Sequence, residues 1–400
     1  MMMSLDETVL TERTLEARTK EDTPLENLLI AAGAMGLVLI ASVISVEAGI
    51  SVAIIEILLG VTAGNFLGLH TTPWMDFLAS FASIVLTFLA GAEVDPKLLR
   101  TEFKSSILLG GLSFALPFAL ALLFALFVLG WTARAAQIAG IALSTTSLAV
   151  VYAVLVETGL TETRIGKIIM AATFVTDFGT ALALALLFIT PGWELIAFVA
   201  VSLVLLLLVP RLAPWFFKRY GDRVIEPEIK LIFFVLLVLM LFAEFGASHA
   251  VLPAFIFGLT MARVLEQYRT QQRRLRVVAF ALLTPFFFLK SGFNVSLTAV
   301  AANLPAVLSL LAVKLAAKGI GVFPLARRYV PQDATFTTLL MSTGLTFGTI
   351  SSLYGLNAGI IDQAQFSVLI TVVILSAVVP TFIAQRFFQP TPPPEFGGVE

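Results

Sequence analysis

The stretch Ile165 to Thr190, IGKIIMAATFVTDFGTALALALLFIT, is apolar over a length sufficient to cross a bilayer, yet it carries a carboxylate, Asp177, at its centre. A charged side chain at mid-bilayer costs about 2.5 to 3.5 kcal/mol on insertion scales, so its retention there asks for a role. One explanation is structural, an acid kept protonated or paired. The other is carriage of an ion or a proton. Desolvation favours the neutral acid and a neighbouring cation favours the ionised one, so proton and metal ion compete for a single site. That competition points to exchange of one for the other.

Composition agrees with a membrane location. Of 400 residues 58% are hydrophobic and 13% charged, 34 are phenylalanine, and the mean hydropathy is +0.98. Soluble domains do not reach these values. The expected class is an all-α polytopic membrane protein. With no cysteine, disulfides, thiolate metal sites and thiol catalysis are excluded. The net charge of −1 gives no reason to expect a nucleic-acid partner, and no cofactor is implied. Residues 1–27 read as a polar, acid-rich tail and not a signal peptide, because no basic segment precedes the first apolar run. Residues 28–387 read as one membrane domain and 388–400 as a short C-terminal tail.

Windows of about 20 apolar residues predict about thirteen spans. They are Leu28 to Val46, Val52 to Leu69, Phe77 to Ala92, Ser105 to Leu129, Ala135 to Val156 and Ile165 to Thr190, then Trp193 to Leu212, Ile229 to Gly246 and Ala250 to Met261. Val277 to Val295, Leu304 to Leu325, Ala334 to Tyr354 and Gln365 to Phe387 follow. Loop charge tests the division. Alternate loops hold Lys97, Arg100 and Lys104, then Arg164 and Lys167, then Arg211 through Lys230, then Arg263 through Arg276, then Arg327 and Arg328, whereas the other set holds only Arg134. Cytoplasmic loops carry the Lys and Arg excess. The N-terminus is therefore expected outside and the C-terminus in the cytoplasm, in a membrane of the bacterial inner type.

Spans four to six and eleven to thirteen share a plan: a long helix, a helix interrupted at mid-depth, and a third helix. The blocks are offset by seven spans, an odd number, so they enter the membrane from opposite sides, as inverted repeats do in many secondary transporters. The interruptions read Leu143-Ser144-Thr145-Thr146-Ser147 and Ser342 to Thr349, the latter including Gly344, Thr346 and Gly348. Glycine and hydroxyl residues lower helix propensity and present oxygen atoms. Two unwound helices crossing there would leave room for a cation beside one carboxylate. The plainer reading is that the hydroxyls bond the preceding turn and the glycines permit close packing.

Lys314 and Lys318 lie one turn apart in the eleventh span and share a face. Either one can balance Asp177 or steady the crossing, whereas snorkelling to the interface suits Lys314 worse. Lys290, after Pro285-Phe286-Phe287-Phe288-Leu289, reads as a buried partner or a residue of the inner mouth. Glu93, at the end of the third span, is a candidate for gathering cations there. The two histidines, His70 in a loop and His249 at a helix end, are weak candidates for a pH sensor.

These residues resemble the monovalent cation:proton antiporter superfamily, in particular its second branch of bacterial Na⁺/H⁺ and K⁺/H⁺ exchangers. The resemblance rests on Phe88-Leu89-Ala90-Gly91-Ala92-Glu93-Val94-Asp95, Leu143 to Ser147, Thr176-Asp177, Pro285 to Gly292, Lys318-Gly319-Ile320-Gly321 and Gly344 to Gly359. It implies a homodimer in lipid, and core helices at about 105–190 and 304–387 that slide as an elevator against a dimerisation scaffold. It also implies Asp177 as the ion ligand, with Thr176, Thr145, Thr146 and Ser144 near it, and a core lysine best matched by Lys318, then Lys314. Electrogenic members carry two adjacent aspartates where this chain has Thr176-Asp177. One carboxylate exchanges one cation for one proton, so electroneutral exchange is expected. No room is expected for the nucleotide-binding domain fused to some potassium-efflux relatives.

Three rivals differ in what the residues must supply. A sodium-coupled symporter of an organic anion would use the same kind of repeat. An intramembrane aspartyl protease needs two aspartates sharing a proton, and no second aspartate lies at a span centre. A channel needs a charge ring or carbonyl filter, and none is visible.

Overall fold

The computed structural model describes residues 24–48, 51–93, 102–161, 163–188, 192–246 and 249–390. Most of the N-terminal tail, the last ten residues, and Val94, Asp95, Lys97 and Arg100 of the third loop lie outside them. Among the described residues all regular structure is helical. In chain order the helices are α1 (Pro24–Ala48), α2 (Val52–Phe66), α3 (Pro73–Ala92), α4 (Phe103–Phe127), α5 (Ala133–Ser144), α6 (Leu148–Glu157), α7 (Arg164–Leu187), α8 (Trp193–Tyr220) and α9 (Pro227–Phe245). There follow α10 (Val251–Gln267), α11 (Arg269–Val278), α12 (Thr284–Phe293), the short connector α13 (Leu297–Ala302), α14 (Leu304–Tyr329), α15 (Ala334–Met341), α16 (Thr346–Asn357) and α17 (Gln363–Phe387).

Each of the thirteen predicted spans finds a helix or a helix pair. Three are composite. The fifth is α5 and α6 and the twelfth is α15 and α16, each pair divided by a short unwound segment; the tenth is α11 and α12, joined through a π-helical turn at Ala279–Leu283. The two interrupted spans break where hydroxyls and glycine cluster. Thr145 leaves the helix with an extended backbone, φ −67° and ψ 158°, and the second break ends at Leu345, φ −144° and ψ −75°. Backbone groups freed in a membrane interior must find partners inside the protein. Here each break serves the other: the Thr146 hydroxyl donates to the Met341 carbonyl at 3.0 Å, and the Ser147 amide donates to the Thr343 carbonyl at 3.2 Å.

The block α4 to α7 and the block α14 to α17 therefore cross at their interrupted members. Hydrogen bonds at the chain ends hold the plan. Arg164, opening α7, donates to Glu102 before α4 at 2.8 Å and to the Tyr329 carbonyl closing α14 at 3.3 Å. The Arg164 hydrogen bond is the main reason the Glu102 carboxyl sits below the usual glutamate range. The same end of the bundle holds Arg274 on Glu226 at 2.9 Å. At the opposite end Asn65 donates to the Val295 carbonyl at 2.7 Å and Lys290 pairs with Asp76 at 2.7 Å. Of its two sequence readings Lys290 thus takes the buried partner; it stands at the end of the bundle away from the basic loops.

Elsewhere bare glycine lets backbones touch. A Cβ at Gly292 of α12 would run into the Ile57 carbonyl of α2 and lie 2.7 Å from the Gly60 Cα. Backbone atoms cannot swing aside as a side chain does. Gly292→Val is expected to lower stability by about 1 to 3 kcal/mol, the usual range for overpacking, read as an earlier thermal melt in detergent. An unchanged melt would mean that α2 and α12 part without cost.

Candidate functional site at the helix crossing

Asp177 comes from the middle of α7, which starts at an N-cap where the Thr163 hydroxyl accepts from the Gly166 amide. Its carboxyl is 2% exposed, and Oδ1 has no hydrogen-bond partner. It faces a cavity of about 300 Å³ whose lining also includes Glu93, Leu148, Thr346 and Phe347. Leu148 and Thr346 are the first residues of α6 and α16. The acid thus shares its cavity with the amino-terminal ends of both half-helices, the positive ends of their dipoles.

The opposite pole of the crossing carries the lysine. α5 ends at Ser144 with carbonyls that have no helical partner. Lys318, fully buried on α14, donates to the Ser144 carbonyl at 2.8 Å, to the Ser113 hydroxyl on α4 at 2.8 Å and to the Thr146 hydroxyl at 3.1 Å. An ammonium has three protons to donate, and all three are used. Carboxylate at the positive helix ends and ammonium at a negative one is the arrangement that dipoles favour.

Lys314 lies one turn earlier, also fully buried, and donates to the Ser376 hydroxyl on α17 at 2.8 Å. It rests against the second break. A Cβ at Gly344 would meet the Lys314 ammonium, the tip of a flexible side chain, and lie 3.0 Å from Thr145 Oγ1, so a larger residue here would displace Lys314. Gly348 of α16 is packed as closely, a Cβ there falling 2.9 Å from the Ala142 carbonyl of α5.

The predicted oxygen donors lie around the crossing with different engagements. Thr176 donates to the Thr173 carbonyl at 2.7 Å, and Ser144 to the Ile141 carbonyl at 2.8 Å. A hydroxyl that donates its proton still presents lone pairs. Thr145 Oγ1 is buried and has no hydrogen-bond partner, and Thr346 lines the Asp177 cavity directly.

A second cavity, about 500 Å³, adjoins the first on the side of the basic end, with Glu93, Leu148, Tyr152 and Arg276 lining both. Its rim carries Arg269 and Arg273. A third, about 400 Å³, lies at the other end among Ser80, Leu184, Glu244, His249 and Tyr354, and shares no lining residue with the first two. His249, in the loop before α10, packs its ring on Tyr354 at 4.0 Å between centroids, and burial pushes it down to about 4. It is therefore neutral through the range in which an ordinary histidine switches.

Sequence reasoning placed Asp177, both lysines, Glu93 and both breaks. It missed Ser113 and Ser376, the hydroxyls that hold the lysines, and the vestibule residues Arg276 and Tyr152. A lone serine within an apolar span was the signal for the first pair. Arg276 was hidden among the arginines of a basic loop.

The chain belongs to the transmembrane sodium/hydrogen exchanger family, whose profile it matches over residues 34–389. It is 26% identical over 352 residues to the probable Na⁺/H⁺ antiporter 3 of Methanocaldococcus jannaschii, spanning 84% of this chain and 89% of that protein. It is 27% identical to the Na⁺/H⁺ antiporter of Enterococcus hirae, spanning 87% and 94% respectively. A more distant match is the K⁺/H⁺ antiporter 1 of Saccharomyces cerevisiae, at 23% identity over 79% of this chain and 40% of that longer protein. Among solved structures the sodium proton antiporter MjNhaP1 of Methanocaldococcus jannaschii superimposes with a TM-score of 0.70 at 16% identity, covering 91% of this chain and all of that one.

Proposed function

We propose that this protein exchanges a monovalent cation, Na⁺ or K⁺, for H⁺, with Asp177 holding either the cation or the proton by turns. The observation that carries the reading is the buried Asp177 carboxyl, with one oxygen unpartnered, in a cavity that adjoins the vestibule at the basic end. Thr346, Thr145 and Thr176 are the proposed hydroxyl ligands, with Thr146 and Ser144 linking the crossing to Lys318. The relatives named above are antiporters of Na⁺ or K⁺, which supports this reading over a symporter.

The proposed cycle is one for one. With the cation gone, the ionised acid faces two positive helix ends, and a proton from the side to which the cation has left replaces the lost charge. Thr176 cannot titrate, and Lys318, with all three donors engaged, is suited to a fixed charge. The exchange is therefore proposed to be electroneutral. The vestibule and the separate cavity at the far end suit alternating access, with the two repeats moving as a core against the remaining helices, in a homodimer. The basic end is assigned to the cytoplasm by its arginines and lysines.

Proteoliposomes with a trapped pH dye test the reading. A Na⁺ or K⁺ pulse should alkalinise or acidify the lumen according to the gradient direction, and a flat trace with Li⁺, Na⁺, K⁺ and Rb⁺ alike would overturn it.

A further inference from the structure

The path from the basic rim to Asp177 passes one ion pair. Glu93 closes α3 and Arg276 stands near the end of α11, and both line the outer and the inner cavity. The Arg276 Nε donates to Glu93 Oε1 at 2.9 Å, and its Nη2 donates to the same oxygen. Arg269, Arg273 and Arg276 are spaced four and three residues apart and share one face of α11, and with Glu93 and Glu266 they line the outer cavity, leaving it a net positive charge that an entering cation must pass. Of the three, only Arg276 is folded inward onto this carboxylate. Two residues beyond it the helix passes into the π-helical turn Ala279–Leu283. Such turns are frequent at functional sites, where they break the regular ladder of the helix.

A guanidinium on a carboxylate is a monovalent cation tethered where a free one would bind. We propose that Glu93 is a staging site for the transported cation on its way to Asp177. Arg276 is its tethered competitor, holding the site when no cation is present and thereby setting the apparent affinity. The inference rests on the cation-exchange reading, and it adds a site and a specificity-determining residue to it. The physics is that of a site available only part of the time: apparent affinity falls by the fraction of molecules in which the competitor has left.

Equilibrium binding of ²²Na⁺ to the detergent-purified protein tests this without requiring turnover. Arg276→Gln is expected to tighten binding several-fold, and Arg276→Lys, which keeps a tethered cation, to stay near wild type. Glu93→Gln should weaken binding and remove the effect of Arg276→Gln in the double variant. The matching change in flux is a lower KM for the cation. Unchanged or weaker binding in Arg276→Gln overturns the proposal. So does equal tightening with and without Glu93, since that would be long-range repulsion and not competition for one carboxylate. Asp177→Asn separates this from the wider reading. If it leaves saturable ²²Na⁺ binding intact while Arg276→Gln still tightens it, the exchange mechanism fails and the staging site stands. A wild type with no saturable binding of either ²²Na⁺ or ⁸⁶Rb⁺, the latter standing in for K⁺, overturns both.

Discussion

Asp177→Asn is expected to reduce cation-driven proton flux to the level of empty liposomes while the protein melts no lower than wild type. The two halves of that result belong together. The amide keeps the shape of the carboxyl and loses the ability to exchange a proton, so the proposed step in which cation and proton trade places has no site. Stability moves the other way, because a buried ionisable group with an unpartnered oxygen carries a desolvation cost that a neutral amide reduces. Loss of function with retained or increased stability is what a group kept for its chemistry predicts. Flux that survives in Asp177→Asn would remove the acid from the mechanism. A collapse in melting temperature would assign it to structure.

Lys318→Met should show the converse. This substitution is expected to destabilise by about 1.5 to 3 kcal/mol, the range for hydrogen bonds to a charged group. Three acceptors on two helices and one break, Ser113, Ser144 and Thr146, lose their donor together, and the carbonyl end of α5 is left facing the membrane interior without a positive charge. Lys314→Met removes a single hydrogen bond, to Ser376, so it should cost less than Lys318→Met. The comparison of melting curves in detergent checks both. Equal and small losses would mean that Lys318 does not hold the crossing together.

The elements that could be read from the chain are those whose physics is local. Hydropathy over some twenty residues located the spans, and the alternation of arginine and lysine between loops ordered them. Asp177 was conspicuous because nothing apolar explains it, and Ser144 to Ser147 and Gly344 to Thr349 because they do not suit a helix. What local pattern could not supply was the partnership across the crossing. That Thr146 donates to Met341, and that Lys318 reaches Ser144 instead of pairing directly with Asp177, depends on two segments almost two hundred residues apart meeting in space. Lys290 illustrates the same limit. Its span was legible, but whether it faced the inner mouth or a partner was decided by Asp76, at the far end of the bundle. Arg276 was obscured for another reason: in a loop already explained by membrane topology, one arginine turned inward looks like its neighbours.

Electroneutral exchange is proposed because one carboxylate has threonine beside it and a lysine whose donors are all engaged. The direct measurement is cation-driven proton flux in proteoliposomes under an imposed potassium-diffusion potential, with Na⁺ as substrate and the potential set by valinomycin. The account predicts the same initial rate at interior-negative, zero and interior-positive potential. A rate that rises with one sign of the potential and falls with the other would contradict it, and would place a second titrating group, with Lys314 the first to examine, in the transport cycle.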